Sequence, residues 1–157
     1  LSLRFAAHHP ISGVVAMATP YSMPNDPRLP FIKVLSPLIP WIKQGPSDFH
    51  NQEAEKDHIC YSYFPSRAVI QLRDLLSEMR ASLPRVTMPA LLIYSHQDKS
   101  VVPPNAEKIY AALGSSQKEI IWVENSGHVI PREPDRQIAF QAIDEFIKHV
   151  TKLDIHQ

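Results

Sequence analysis

Ala90-Leu91-Leu92-Ile93-Tyr94-Ser95-His96-Gln97-Asp98-Lys99-Ser100-Val101-Val102-Pro103 is the stretch whose reading decides the fold. It opens as an apolar run of the length and character of a buried parallel strand and breaks into a polar turn. Pro104 then stands where a helix would begin. The same grammar recurs in Glu119-Ile120-Ile121-Trp122-Val123-Glu124, followed by Asn125-Ser126-Gly127-His128-Val129. Both arrangements put a polar side chain on a loop at the carboxyl end of a parallel strand, where an open α/β sheet keeps its chemistry. Asp98 and His128 therefore read as the acid and base of a hydrolytic triad.

Working outward, a third apolar run, Gly13 to Thr19, has the same strand character. It follows Leu1-Ser2-Leu3-Arg4-Phe5-Ala6-Ala7-His8-His9-Pro10, which has helix-like sequence, no N-cap, and a stop before proline. After Pro104, apolar residues at Ala106, Ile109, Tyr110 and Leu113 mark one helix face, and Gly114 is placed to end it. A further helix is expected from Pro134 to Val150, with Ala139, Ile143, Phe146 and Val150 on its stripe and Lys148, His149 and Lys152 at its negative pole. Strand, loop, helix repeated in this way predicts an α/β fold with a parallel sheet flanked by helices.

Residues 21–84 break that rhythm. Of the 15 prolines in the chain, Pro20, Pro24, Pro27, Pro30, Pro37 and Pro40 crowd the stretch after the opening strand and forbid long regular elements there. The apolar stretch Leu29 to Gln44 is expected as short helices broken at Pro37 and Pro40, and Ser47 to Asp57 as a polar connection. A clean amphipathic helix follows from Ser66 to Leu83, its stripe Val69, Leu72, Leu76, Met79 and Leu83. The predicted division is core at 1–20, a mainly helical cap or lid at 21–84, and core again at 85–157.

Composition narrows the partners. Formal net charge is +0, which gives no electrostatic footprint for nucleic acid. No apolar stretch approaches the roughly 20 residues of a membrane span. A single cysteine, Cys60, cannot form an internal disulfide, which suits a reducing, cytoplasmic setting; Cys60 itself is read as a small buried apolar residue.

From Ser62 to Val150 the chain resembles the bacterial carboxylesterases and monoacylglycerol lipases of the α/β-hydrolase superfamily. The resemblance rests on Ala68-Val69-Ile70-Gln71-Leu72-Arg73-Asp74-Leu75-Leu76, on Met88-Pro89-Ala90-Leu91-Leu92-Ile93-Tyr94, on Gln97-Asp98-Lys99-Ser100-Val101-Val102-Pro103 and on Trp122-Val123-Glu124-Asn125-Ser126-Gly127-His128-Val129-Ile130. It implies the C-terminal portion of an α/β-hydrolase fold and a serine ester hydrolase with no cofactor and a small-molecule ester substrate. Asp98 would orient His128, and His128 would carry the proton between a Ser hydroxyl and the leaving alcohol. In such folds the Ser sits on a G-x-S-x-G elbow ahead of the acid and base. No such elbow occurs between Leu1 and Gln157. The expectation is that the chain begins just after it, that the missing N-terminal portion supplies nucleophile and oxyanion hole, and that residues 1–157 alone are inactive and poorly soluble. An Asp nucleophile, as in haloalkane dehalogenases and epoxide hydrolases, or a non-catalytic ligand-binding relative, are the alternatives.

Other candidates are weighed against plainer roles. Met23, Trp41, Val101 and Val129 are proposed as substrate-pocket walls. His8 and His9 read as capping or solvated residues, His96 as an exposed loop residue, and His50 and His58 lack the spacing of a zinc site, so no metal is expected.

Overall fold

Six consecutive buried residues, Ala90–Ser95, form a strand that has a neighbour on either side. A computed structural model of the chain describes residues 1–155 apart from positions 25 and 28. In chain order its strands are β1 (Val14–Met17), β2 (Trp41–Lys43), β3 (Tyr63–Pro65), β4 (Ala90–Ser95) and β5 (Lys118–Val123). Its helices are α1 (Ser2–Ala6), α2 (Ile32–Leu35), α3 (Gln52–Lys56), α4 (Ser66–Ser82), α5 (Pro104–Ala112) and α6 (Arg136–Ile155), with 3₁₀ turns at Leu29–Phe31, Leu83–Arg85 and Ile130–Arg132.

The main sheet has the order β1-β4-β5, all parallel, with Val14 opposite Ala90, Met17 opposite Ile93, and Ser95 opposite Val123. Alternate side chains of β4 feed two apolar layers, as a strand's period of two requires. Ala90, Leu92 and Tyr94 pack with Leu3 and Ala6 of α1, Leu76 and Met79 of α4, and Ala106 and Ile109 of α5. Leu91 and Ile93 pack with Val123, Ile130 and Ala139, against Ile143 and Phe146 of α6. Each fully buried Leu, Ile, Val or Met among these contributes about 1.5–3 kcal/mol, and β4 supplies Leu91, Leu92 and Ile93. Gly114 ends α5 for a packing reason rather than a conformational one, since a Cβ there would strike the Pro84 carbonyl.

Between β1 and β4 the expectation is only partly met. α4 forms where the amphipathic stripe placed it, but Leu72 leaves the core and is 39% exposed. The short helical turns stop at Leu35, and 41–43, expected as helix, is instead a strand pairing antiparallel with 63–65. Pro40 cannot donate a backbone hydrogen bond and stops the helical path; its carbonyl accepts from Ser66 N–H (2.9 Å), and Gln44 N–H donates to the Ser62 carbonyl (2.9 Å), extending the hairpin. Trp41 and Lys43 face outward while Ile42 faces in. Cys60 is exposed rather than buried. Its neighbours Ile59 and Tyr61 are 95% and 86% exposed, so that loop runs outside both apolar layers and offers no cover.

Candidate active site

Asp98 and His128 meet, on the turns that leave β4 and β5. The first turn folds back so that one carboxylate oxygen of Asp98, Oδ1, accepts the N–H groups of Ser100 (2.8 Å) and Val101 (2.7 Å). The other, Oδ2, lies 2.9 Å from Nδ1 of His128. With Oδ2 as acceptor, Nδ1 carries the proton, and in the neutral imidazole Nε2 keeps its lone pair. The Asp98 side chain is fully shielded while that of His128 is 39% exposed. The hydrogen bond that Nδ1–H donates to Asp98 raises the His128 pKa above its usual value; burial opposes this, and the charges of Asp98 and Asp48 add to the rise.

The two turns are fastened to each other. Ser95 Oγ, at the end of β4, donates to the Ser126 carbonyl and accepts from Gln97 N–H at 3.0 Å. Behind it, the Tyr94 hydroxyl donates to the Thr19 carbonyl (2.7 Å), and burial pushes that phenol well above its ordinary range. Downstream, Asp135 Oδ2 accepts Glu124 N–H (3.0 Å) and Asn125 N–H (2.6 Å), which fixes the start of the base loop to the residues just ahead of α6.

A cavity of about 460 Å³ opens at His128, with Ser22, Met23, Leu72, Val101 and Asn105 in its wall. Asn105 Oδ1 accepts from Tyr21 N–H (2.9 Å) and Ser22 N–H (3.3 Å), holding the segment after β1 at the cavity mouth. Met23 and Pro24 also line a second cavity of about 190 Å³, walled by Leu29, Ile32, Ile42, Phe64 and Val69. Of the four side chains expected as pocket walls, Met23 and Val101 face the His128 cavity; Trp41, 60% exposed on β2, and Val129, beside His128, do not line it.

Asp48 and Glu133 reach the site with no signal in the sequence to mark them, and Gly127 of the Ser-Gly-His motif meets them there. Asp48 Oδ2 accepts Lys99 N–H (3.2 Å) beside the acid. Gly127 lies against the Asp48 carbonyl. Glu133 is buried and bonded to backbone amides. His96 stays exposed and away from the pair, stacked on Trp122 and bonded to Glu124 (2.7 Å). His50 Nδ1 meets Asn125 Oδ1 (3.0 Å). Among the described residues no group of three or more His, Cys, Asp or Glu side chains is placed to hold a metal ion, and no helix is long and apolar enough to cross a membrane.

Residues 1–135 match the family model described as serine aminopeptidase, S33. The chain belongs to that family. This S33 member is 29% identical over 151 residues to a thermostable monoacylglycerol lipase of Bacillus sp. (strain H-257), covering 95% of this chain and 59% of that protein. It is 27% identical over 154 residues to a carboxylesterase of Bacillus subtilis (strain 168), covering 98% and 60%. The chain thus spans about three fifths of the length of these relatives. Among solved structures, one reported for the metagenome-derived lipolytic enzymes LipS and LipT superposes with a TM-score of 0.84 at 28% identity, covering 94% of this chain and 60% of that one. The monoacylglycerol lipase of Paleococcus ferrophilus superposes at 0.77 with 20% identity, over 94% and 63%, a likeness of fold. The S33 chain therefore has the α/β-hydrolase fold, similar to lipases and esterases, and its three-stranded parallel sheet with flanking helices corresponds to a C-terminal portion of that fold.

Proposed function

We propose that the polypeptide carrying this chain is a serine ester hydrolase, with Asp98 as the orienting acid and His128 as the general base and acid. The observation that carries the reading is the Asp98–His128 hydrogen bond, with the Asp98 side chain fully shielded and the base opening on a cavity. A serine outside residues 1–157 would attack the ester carbonyl carbon while His128 Nε2 takes its hydroxyl proton. Collapse of the tetrahedral intermediate breaks the carbon–oxygen bond of the ester, and His128 returns the proton to the leaving alcohol. Water, deprotonated by the same imidazole, then hydrolyses the acyl-enzyme. In this reading residues 21–84 form the cap, and the 190 Å³ apolar cavity that shares Met23 and Pro24 with the catalytic cavity takes the acyl chain.

The names of the Bacillus relatives support a carboxylic ester as substrate, with monoacylglycerols among the candidates. The test is turnover of p-nitrophenyl esters by the full polypeptide and by two variants. Asp98→Asn should lower kcat by about 10⁴-fold and His128→Ala by about 10⁶-fold. Parental turnover in both variants would remove the assignment.

A further inference from the structure

One buried carboxylate takes no part in the chemistry above. Glu133 is 0% exposed and, among the described residues, forms no ion pair with Lys, Arg or His. A carboxyl group buried in this way needs hydrogen bonds to replace its water. Its position just ahead of α6 suggests a helix cap, yet Arg136 N–H bonds the Glu133 backbone carbonyl instead (3.2 Å). The carboxylate is spent on distant parts of the chain. Oε1 accepts Gly127 N–H (3.1 Å), Oε2 accepts Asn51 N–H (3.0 Å), and His50 N–H lies 3.2 and 3.1 Å from the two oxygens.

The clasp is returned from the other side. Asn51 Nδ2 donates to the Arg132 carbonyl (3.0 Å), and the Asp48 backbone lies directly on Gly127, where no Cβ intervenes. Gly127 is the residue immediately before the base. Residues 48–51 and Glu133 therefore hold, from two sides, the peptide that carries His128.

We propose that Glu133 is a positioning residue for His128: its buried carboxylate locks Gly127 against residues 50–51 and so fixes the imidazole at bonding distance from Asp98. Release of that lock lets the base loop drift from the acid loop. A displacement of about 1 Å in a catalytic group can cost on the order of 100-fold in rate. The charges of Asp98 and Asp48 act on His128, Lys99 and Lys108 line the cavity it opens on, and Glu133 itself meets the backbone of His50, Asn51 and Gly127.

The kinetic arm of the test rests on the ester-hydrolase reading; the spectroscopic arm does not. Glu133→Gln, made in the full polypeptide, turns one acceptor into an NH₂ group that opposes the amides. His128 ring titration is followed by NMR, its resonance assigned with His128→Asn. The expected result is a ring pKa at least half a unit below parental, with kcat reduced at least 10-fold and KM changed less than 3-fold. A purely structural role would lower the melting temperature and leave the ring pKa of the folded fraction alone. A folded variant with parental ring pKa and parental kcat overturns the proposal, and so does a loss of kcat with the ring pKa unmoved. If Glu133→Gln does not fold, Glu133→Asp takes its place under the same outcomes. Should the parent hydrolyse no ester, the ring titration still decides the role of Glu133 while the functional reading falls separately.

Discussion

The backbone carbonyl of Asp48 occupies the space that a side chain on Gly127 would need. The glycine has no left-handed φ, so its requirement is steric and comes from a segment far away in sequence. Gly127→Ala should force the base loop and residues 48–51 apart and loosen the 2.9 Å bond between Asp98 and His128. Overpacking of this sort costs about 1–3 kcal/mol, read as a fall in melting temperature. Turnover in the full polypeptide should drop at least 10-fold on ester substrates, on the order of what small misplacements cost. Parental activity would mean that the contact yields without moving His128.

The raised pKa of His128 sets the sign of two pH effects. The folded state binds the His128 proton more tightly than the unfolded chain does, so this group contributes stability that is fully present below the ordinary histidine pKa of about 6.5. That contribution fades as pH rises through the folded value. In the proposed mechanism catalysis runs the other way, because a general base must be neutral. The acidic limb of kcat/KM should therefore lie above about 6.5, and Asp48→Asn, which keeps an acceptor for Lys99 N–H but removes a charge near the imidazole, should move it downward. A limb that stays in place in that variant would show that the field of Asp48 does not reach the base.

The parts of the fold that were legible in sequence are those whose signal is local. Ala90–Ser95 is strand because all six side chains are buried, and a continuous apolar run announces that without help from the rest of the chain. The same holds for the stripe of α4 and for Asp98 and His128, each on a turn after such a run. The β2–β3 hairpin was not legible, since each strand has only three residues and its partner lies across a long excursion. Glu133 was hidden for a related reason. Between Arg132 and Pro134 a glutamate looks like surface, and one of its hydrogen-bond partners, Asn51, lies 82 positions away. Leu72 was misplaced because helical periodicity marks an apolar face without saying whether core or cavity covers it; here the cavity does.

Ser126 presents the opposite case, a buried hydroxyl that no described residue engages. Its Oγ has no hydrogen-bond partner among the described residues, although its carbonyl accepts from Ser95. An unpaired buried hydroxyl carries a desolvation cost of about 1–3 kcal/mol, which alanine avoids while leaving the backbone carbonyl in place. Ser126→Ala should hold or raise the melting temperature of the full polypeptide and keep kcat within about 3-fold of parental. A clear loss of stability would reveal a partner for that hydroxyl outside the described residues.

An apolar cavity lies between α2, the hairpin and α4. Val69 is buried on α4 and borders this space together with Ile42 and Phe64. If the acyl chain enters it past Met23 and Pro24, filling it should shorten the accepted chain without touching the chemistry. Val69→Phe places a ring where roughly 190 Å³ is open, and each methylene excluded from an apolar site should cost about 0.8 kcal/mol of binding, close to 4-fold. Across a series of p-nitrophenyl esters, kcat/KM for the shortest acyl groups should stay near parental and fall progressively as the chain lengthens. A uniform loss at every length would place the acyl chain elsewhere and leave this cavity a packing defect.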